Sequence, residues 1–219
     1  MTFGLSVSIV VASGFARADE PATADAGAPE PPTWPKNAKS VLLIGDSTVG
    51  TKAFGLSREL DKKFVAIGVK FHFHVETAAG LRNFANSKKT EKLVKEVNPD
   101  VVLLGLGTNN LSTPNTAAYE PFVKSIVAQT GGRPCYWIGP LSIAKAVAKQ
   151  SGPDTPKNPD AVGKAMVAML KKNSAPCHYY DSYALEIPRE PDDVHATFMG
   201  AGKWANKIWT FLQPTAPAP

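Results

Sequence analysis

Lys39-Ser40-Val41-Leu42-Leu43-Ile44-Gly45-Asp46-Ser47-Thr48-Val49-Gly50 is the stretch that decides how this chain is read. Val41 to Ile44 is a continuous apolar run cut off by Gly45, the pattern of a short strand covered on both faces. Asp46 and Ser47 follow at its C-terminal end, where open α/β sheets place their ligands. The segment 51–64 reads as a helix. A serine on such a strand-to-helix turn exposes its hydroxyl near the positive end of a helix dipole, a position suited to a nucleophile. Asp and Ser at that place also serve as ordinary helix caps. The stretch alone leaves both readings open.

Working outward, the same strand-then-polar-turn pattern recurs. Val101-Val102-Leu103-Leu104 runs into Gly105-Leu106-Gly107-Thr108-Asn109-Asn110. Cys135 to Ile138 ends at Gly139-Pro140, and Cys177 to Tyr180 ends at Asp181-Ser182. Val69 to Val75 differs: apolar residues fall at every second position, which predicts a strand near a sheet edge with one covered face. His72 and His74 share the other face. Two histidines at that spacing could begin a metal site, but the plainer reading is the polar side of a half-buried strand, and no metal is expected. Helices are predicted at 119–129, at 159–172 with Val162, Met166, Met169 and Leu170 inward, and at 198–212. In the last, Trp204, Ile208 and Leu212 stand at steps of four. Leu93, Val94 and Val97 mark another helical stripe. Segment 141–158 reads as a short helix over 143–149 and then a Gly/Pro/Asp loop of the kind that shapes a pocket. Strands alternate with helices five times. The fold class is therefore α/β, a three-layer sandwich around a five-stranded parallel sheet. Ser47, Gly80 and Asn109 would then follow three strand ends on one edge.

With 219 residues and 43% hydrophobic residues, the chain can build one domain with a sizeable core. The net charge of +5 is spread over scattered lysine pairs, the pattern of a solvated surface and not of a nucleic-acid stripe. Residues 1–18 resemble a secretory leader, with an apolar stretch from Leu5 to Phe15 and Ala16-Arg17-Ala18 as a cleavage pattern. The stretch lacks a preceding Lys or Arg and is short for a membrane span. Residues 19–37 are rich in Pro and Ala and read as a disordered tether. The folded domain is expected over 38–213, with a disordered tail over 214–219. The expected location is secreted or periplasmic, without stable membrane insertion, as a monomer that binds no nucleic acid. Cys135 and Cys177 each open a strand just after a proline. If those strands are neighbours they can bridge; the alternative is two buried thiols.

Pro191-Asp192-Asp193-Val194-His195 stands just before the last helix. At an offset of three, Asp192 can reach the His195 imidazole, fix its tautomer and leave the other ring nitrogen as a base. Asp193 is the competitor for that role, and the offset favours Asp192.

The sequence resembles the GDSL/SGNH hydrolases, esterases with a flavodoxin-like α/β/α fold. Four blocks match in order across the predicted domain: Gly45-Asp46-Ser47, Gly80, Gly107-Thr108-Asn109 and Asp192-x-x-His195. The resemblance implies Ser47 as nucleophile. It implies an oxyanion hole of the Ser47 and Gly80 backbone N–H groups and the Asn109 side chain. His195 becomes general base and Asp192 its orienting acid, and no cofactor is implied. Two departures stand out. Asn110 replaces the Asp frequent after the block asparagine, which predicts altered supporting hydrogen bonds and not inactivity. The Ser47 turn lacks the second glycine of the ordinary α/β-hydrolase elbow. The Gly-Asp-Ser-Thr-Val form resembles carbohydrate-acetyl esterases more than lipid esterases. The expected substrate is therefore a small-molecule or glycan ester, with acetyl as the acyl group. Lysophospholipase, thioesterase or O-acyltransferase activity is the nearest rival, and a catalytically silent glycan-binding module is the rival from another class.

Overall fold

Four short apolar runs and one alternating strand pair side by side into a single parallel sheet. A computed structural model describes residues 33–50 and 54–217; the expected leader and most of the expected tether lie outside those residues. The strands are β1 (Ser40–Asp46), β2 (Lys70–Glu76), β3 (Val101–Gly105), β4 (Cys135–Ile138) and β5 (His178–Tyr180). Their order is β2-β1-β3-β4-β5, all parallel. The alternating strand is an edge, as its one-sided pattern requires.

Among the described residues seven α-helices flank the sheet. They are α1 (Leu56–Ala66), α2 (Leu81–Ser87), α3 (Lys89–Val97), α4 (Glu120–Ala128), α5 (Ala144–Ala148), α6 (Pro159–Asn173) and α7 (Phe198–Leu212). Because side chains alternate across a strand, each central strand feeds two cores. Val41, Leu43, Val101, Leu103, Tyr136 and Ile138 pack with Leu56, Leu60 and Phe64 of α1 and Trp204, Ile208 and Leu212 of α7. Leu42, Ile44, Val102, Leu104 and Trp137 pack on the other face, with Phe84 of α2, Ile126 of α4 and Met166 and Leu170 of α6. None of these side chains is more than marginally exposed. Burying each one fully contributes on the order of 1.5–3 kcal/mol. Among the described residues no helix is long and apolar enough to cross a membrane.

Four details depart from the expected pattern. The first helix begins at Leu56 and not at 51, after a separate 3₁₀ turn over Ser47–Val49. Helix α2 was not expected at all, although Leu81, Phe84 and Ala85 carry an i, i+3, i+4 stripe that is buried. The fourth helix is preceded by a 3₁₀ turn over Thr116–Tyr119. The folded body also begins before residue 38. Trp34 is 4% exposed and stacks on Phe64 at 5.5 Å and Tyr136 at 5.8 Å. A single indole offers enough apolar surface to dock a segment otherwise poor in such residues. Cys135 and Cys177 form a disulfide across the neighbouring β4 and β5, with Cα atoms 4.6 Å apart.

Candidate active site

The serine turn rests in a notch made by two missing side chains. Gly45 of β1 and Gly105 of β3 are register partners. A Cβ on either would lie 2.5 Å from a Val49 methyl, so Val49 fills the space above both. That contact folds the Ser47–Val49 turn back over the sheet. Asp46, fully buried, locks it. Its carboxylate accepts from Thr48 N (3.0 Å) and Thr48 Oγ1 (2.6 Å), and reaches Thr108 N at 3.3 Å. The Thr48 and Thr108 hydroxyls meet at 3.1 Å. Burial raises the Asp46 pKa above the ordinary carboxylate value, although all these hydrogen bonds pull it down. Asp46 thus caps the 3₁₀ turn and not the longer helix expected after it, whose N-cap is Gly55.

The next two strand ends converge beside it. Gly107, at φ +118°, makes the left-handed step after β3, and a Cβ there would strike Leu170 at 2.9 Å. Asn109 Nδ2 then donates to Ala79 O at 3.0 Å. That bond occupies one N–H of the amide and leaves the other for a ligand. Asn110 is buried, and its Oδ1 accepts from Leu81 N at 3.0 Å. It thereby satisfies one orphan donor at the start of α2. A Cβ on Gly80 would lie 3.3 Å from that same oxygen. Asn109 and Asn110 thus hold Ala79-Gly80-Leu81 from two sides. Asn110 thus gives the first N–H of the helix that follows Gly80 a neutral acceptor.

The histidine arrives from the far end of the chain. His195 Nε2 is 3.2 Å from Ser47 Oγ, and Nδ1 is 2.7 Å from Asp192 Oδ2. A carboxylate only accepts, so Nδ1 carries the proton and Nε2 is left to accept from the serine hydroxyl. Asp192 Oδ1 also accepts from Val194 N (2.8 Å) and His195 N (2.9 Å). Partial desolvation opposes ionisation of Asp192. The hydrogen bonds from the His195 ring and from the two backbone N–H groups outweigh it and lower the pKa to about 2. Asp193, at φ +57°, turns the other way and pairs with Lys149.

Two supports of this loop gave no signal in the sequence. Glu190 N donates to His195 O at 2.8 Å, beside an isolated antiparallel bridge between Arg189 and Ala196. Arg189 donates from Nη1 to Val194 O (2.6 Å) and from Nη2 to Ser142 O (3.2 Å). It ties the histidine loop to the segment after β4. The loop then ends at Thr197, whose side chain caps α7 through Gly200 N at 3.1 Å. Among the described residues no group of three or more His, Cys, Asp or Glu could hold a metal ion. His72 and His74 lie on β2, away from this cluster in sequence, with His74 Nε2 3.7 Å from Glu76.

No protein-family model matches the chain, and no curated protein matches it in sequence. Solved structures do match. A lipase/acylhydrolase from Enterococcus faecalis superposes with a TM-score of 0.64 at 15% identity, covering 83% of this chain and 100% of its own. A catalytic mutant of an acetylxylan esterase from Geobacillus stearothermophilus gives 0.59 at 14%, covering 85% and 99%. A psychrotrophic esterase from a Pseudoalteromonas species gives 0.59 at 13%, covering 80% and 97%. At these identities the likeness is one of fold. The chain has the three-layer α/β/α fold of the GDSL/SGNH hydrolases.

Proposed function

We propose that the protein is a serine ester hydrolase that removes a short acyl group, acetyl above all, from a carbohydrate hydroxyl. One observation carries the hydrolase reading: Ser47, His195 and Asp192 line up at 3.2 and 2.7 Å across 148 residues of chain. In this reading Ser47 Oγ attacks the ester carbonyl while its proton passes to His195 Nε2. The oxyanion that forms faces the Ser47 and Gly80 N–H groups and the second N–H of Asn109. Collapse of the adduct breaks the bond to the alcohol, which leaves with the proton held on His195. Water then attacks the acyl-serine by the same route and frees the acid. The fold neighbours named acetylxylan esterase support the carbohydrate part, and those named lipase/acylhydrolase keep lipid esters in play.

The test is hydrolysis of p-nitrophenyl acetate by the wild-type protein and by Ser47→Ala. The variant is expected to lose about 10⁴-fold or more in kcat with an unchanged melting temperature. Equal rates would leave the silent glycan-binding module as the better account. An acyl-chain series from acetyl to palmitoyl is expected to peak at acetyl; a peak at long chains favours the lipid-ester rival.

A further inference from the structure

Beside the histidine loop lies a cavity of about 560 Å³, within the range of small-ligand sites. Its walls come from the segment after β4, through Ser142 and Lys145, and from the segment after β5, through Glu186, Ile187 and Arg189. Asp193 closes it on the histidine side. In a parallel sheet both segments leave from the edge that carries Ser47. Asp193 is two residues from His195, so its Cα lies within about 7 Å of the histidine's. Arg189 lines this cavity and also holds Val194 O. Whatever fills the space therefore sits against the arm that carries His195.

The chemistry of the walls limits the occupant. Lys145 and Glu186 are exposed and oppositely charged, and among the described residues neither pairs with another side chain. The negative charges of Asp192 and Asp193 act on Arg189, and Asp193 pairs with Lys149. Among the lining residues Lys145 and Arg189 thus stand against Glu186 and Asp193, two cations against two anions. Such a site offers no net attraction to an anionic ligand. It also offers no dry surface to an acyl chain, because placing methylenes against these groups would strip them of water. A neutral group that both donates and accepts hydrogen bonds, with apolar C–H edges for Leu185 and Ile187, matches the donors, the acceptors and the hydrophobic floor together.

We infer that this cavity seats the alcohol side of the ester and that this alcohol is a neutral sugar. The inference rests on the ester-hydrolase reading and adds where the alcohol side sits and the residues that select it. Steady-state kinetics on O-acetylated xylotriose and on ethyl acetate test it, in the wild type, in Glu186→Ala and in Ile187→Trp, which fills the space. Each variant is expected to raise KM for the acetylated trisaccharide about tenfold, as the loss of one or two hydrogen bonds does. Ethyl acetate has no group to enter the cavity, and its kcat/KM is expected to stay within twofold. Lys145→Ala gives a third reading should Ile187→Trp fold poorly. An unchanged KM for the trisaccharide in Glu186→Ala and Lys145→Ala overturns the inference. So does an equal loss on both substrates, which marks damage to the histidine loop. A wild type that cleaves ethyl acetate through Ser47 but shows no preference for the acetylated sugar overturns the sugar assignment and leaves the hydrolase reading standing.

Discussion

The two halves of the Ser47–His195 pair are held by opposite means. The serine turn is built inward: it leaves a central strand, Val49 drops into the Gly45–Gly105 notch, and a fully buried carboxylate takes the available donors. The histidine loop is built outward. Its aspartate and imidazole stand partly in solvent, and its shape comes from a few backbone bonds and one arginine. Buried packing resists small shifts because dense interiors transmit strain, whereas a loop held by half-exposed hydrogen bonds opens locally at lower free energy. The floor of the site is thus expected to set where the serine hydroxyl lies. The loop is expected to set how often the imidazole is in place.

Four substitutions or conditions test that division. Asp192→Asn leaves the loop's length and shape but removes the acceptor that fixes the imidazole proton on Nδ1. A kcat about 10³-fold lower on p-nitrophenyl acetate is expected in protein that is still fully folded at the assay temperature. Gly105→Ala attacks the floor. Its methyl would meet Val49 at 2.5 Å, and overpacking of this kind costs roughly 1–3 kcal/mol. Denaturant unfolding is expected to show that loss, with activity falling as the serine turn shifts. Unchanged stability would mean that Val49 is not the anchor. Arg189→Ala loosens the loop alone. About a tenfold fall in kcat, partly restored by millimolar guanidinium, is the expected result. The same variant with normal kcat and poor stability would make Arg189 a scaffold residue only.

The smallest effect is on pH dependence, where the two carboxylates carry opposite signs. Asp192 has a folded pKa of about 2, below its ordinary value, so its contribution to stability is full above about pH 4 and is lost as pH falls towards 2. Asp46 has a folded pKa above the ordinary value, so it favours folding at low pH and that contribution declines as pH rises through the folded pKa. Melting curves of wild type, Asp46→Asn and Asp192→Asn from pH 2.5 to 7 measure both. The stability of wild type relative to Asp46→Asn is expected to decrease with rising pH. Relative to Asp192→Asn it is expected to increase. Parallel curves would remove the electrostatic side of the contrast.

How much of this the sequence disclosed follows the same line. The sheet was legible because apolar runs such as Val101 to Leu104 have few other uses. Its edge was legible because β2 alternates. Ser47 and His195 were legible through their short motifs, and the three-residue offset singled out Asp192 over Asp193. What stayed hidden are contacts between residues far apart in the chain. Thr108 bonding to Asp46 joins two blocks that the sequence shows separately. Arg189 reads as an ordinary charged residue until Ser142 and Val194 are brought beside it. Trp34 was misread because its surroundings are disorder-prone, and average composition outweighed the single side chain that docks.

The disulfide bears on how the unprotected border of the sheet behaves. Strand β5 is three residues long and lies at one margin, paired to β4 on one side, with Tyr180 against Phe211. Margins of that kind are where foreign strands add and where aggregation starts. The covalent link from Cys135 to Cys177 pins the entry of β5 to its neighbour. A thiol-rich environment would therefore loosen this border first, while the opposite border, β2, has no such link to lose.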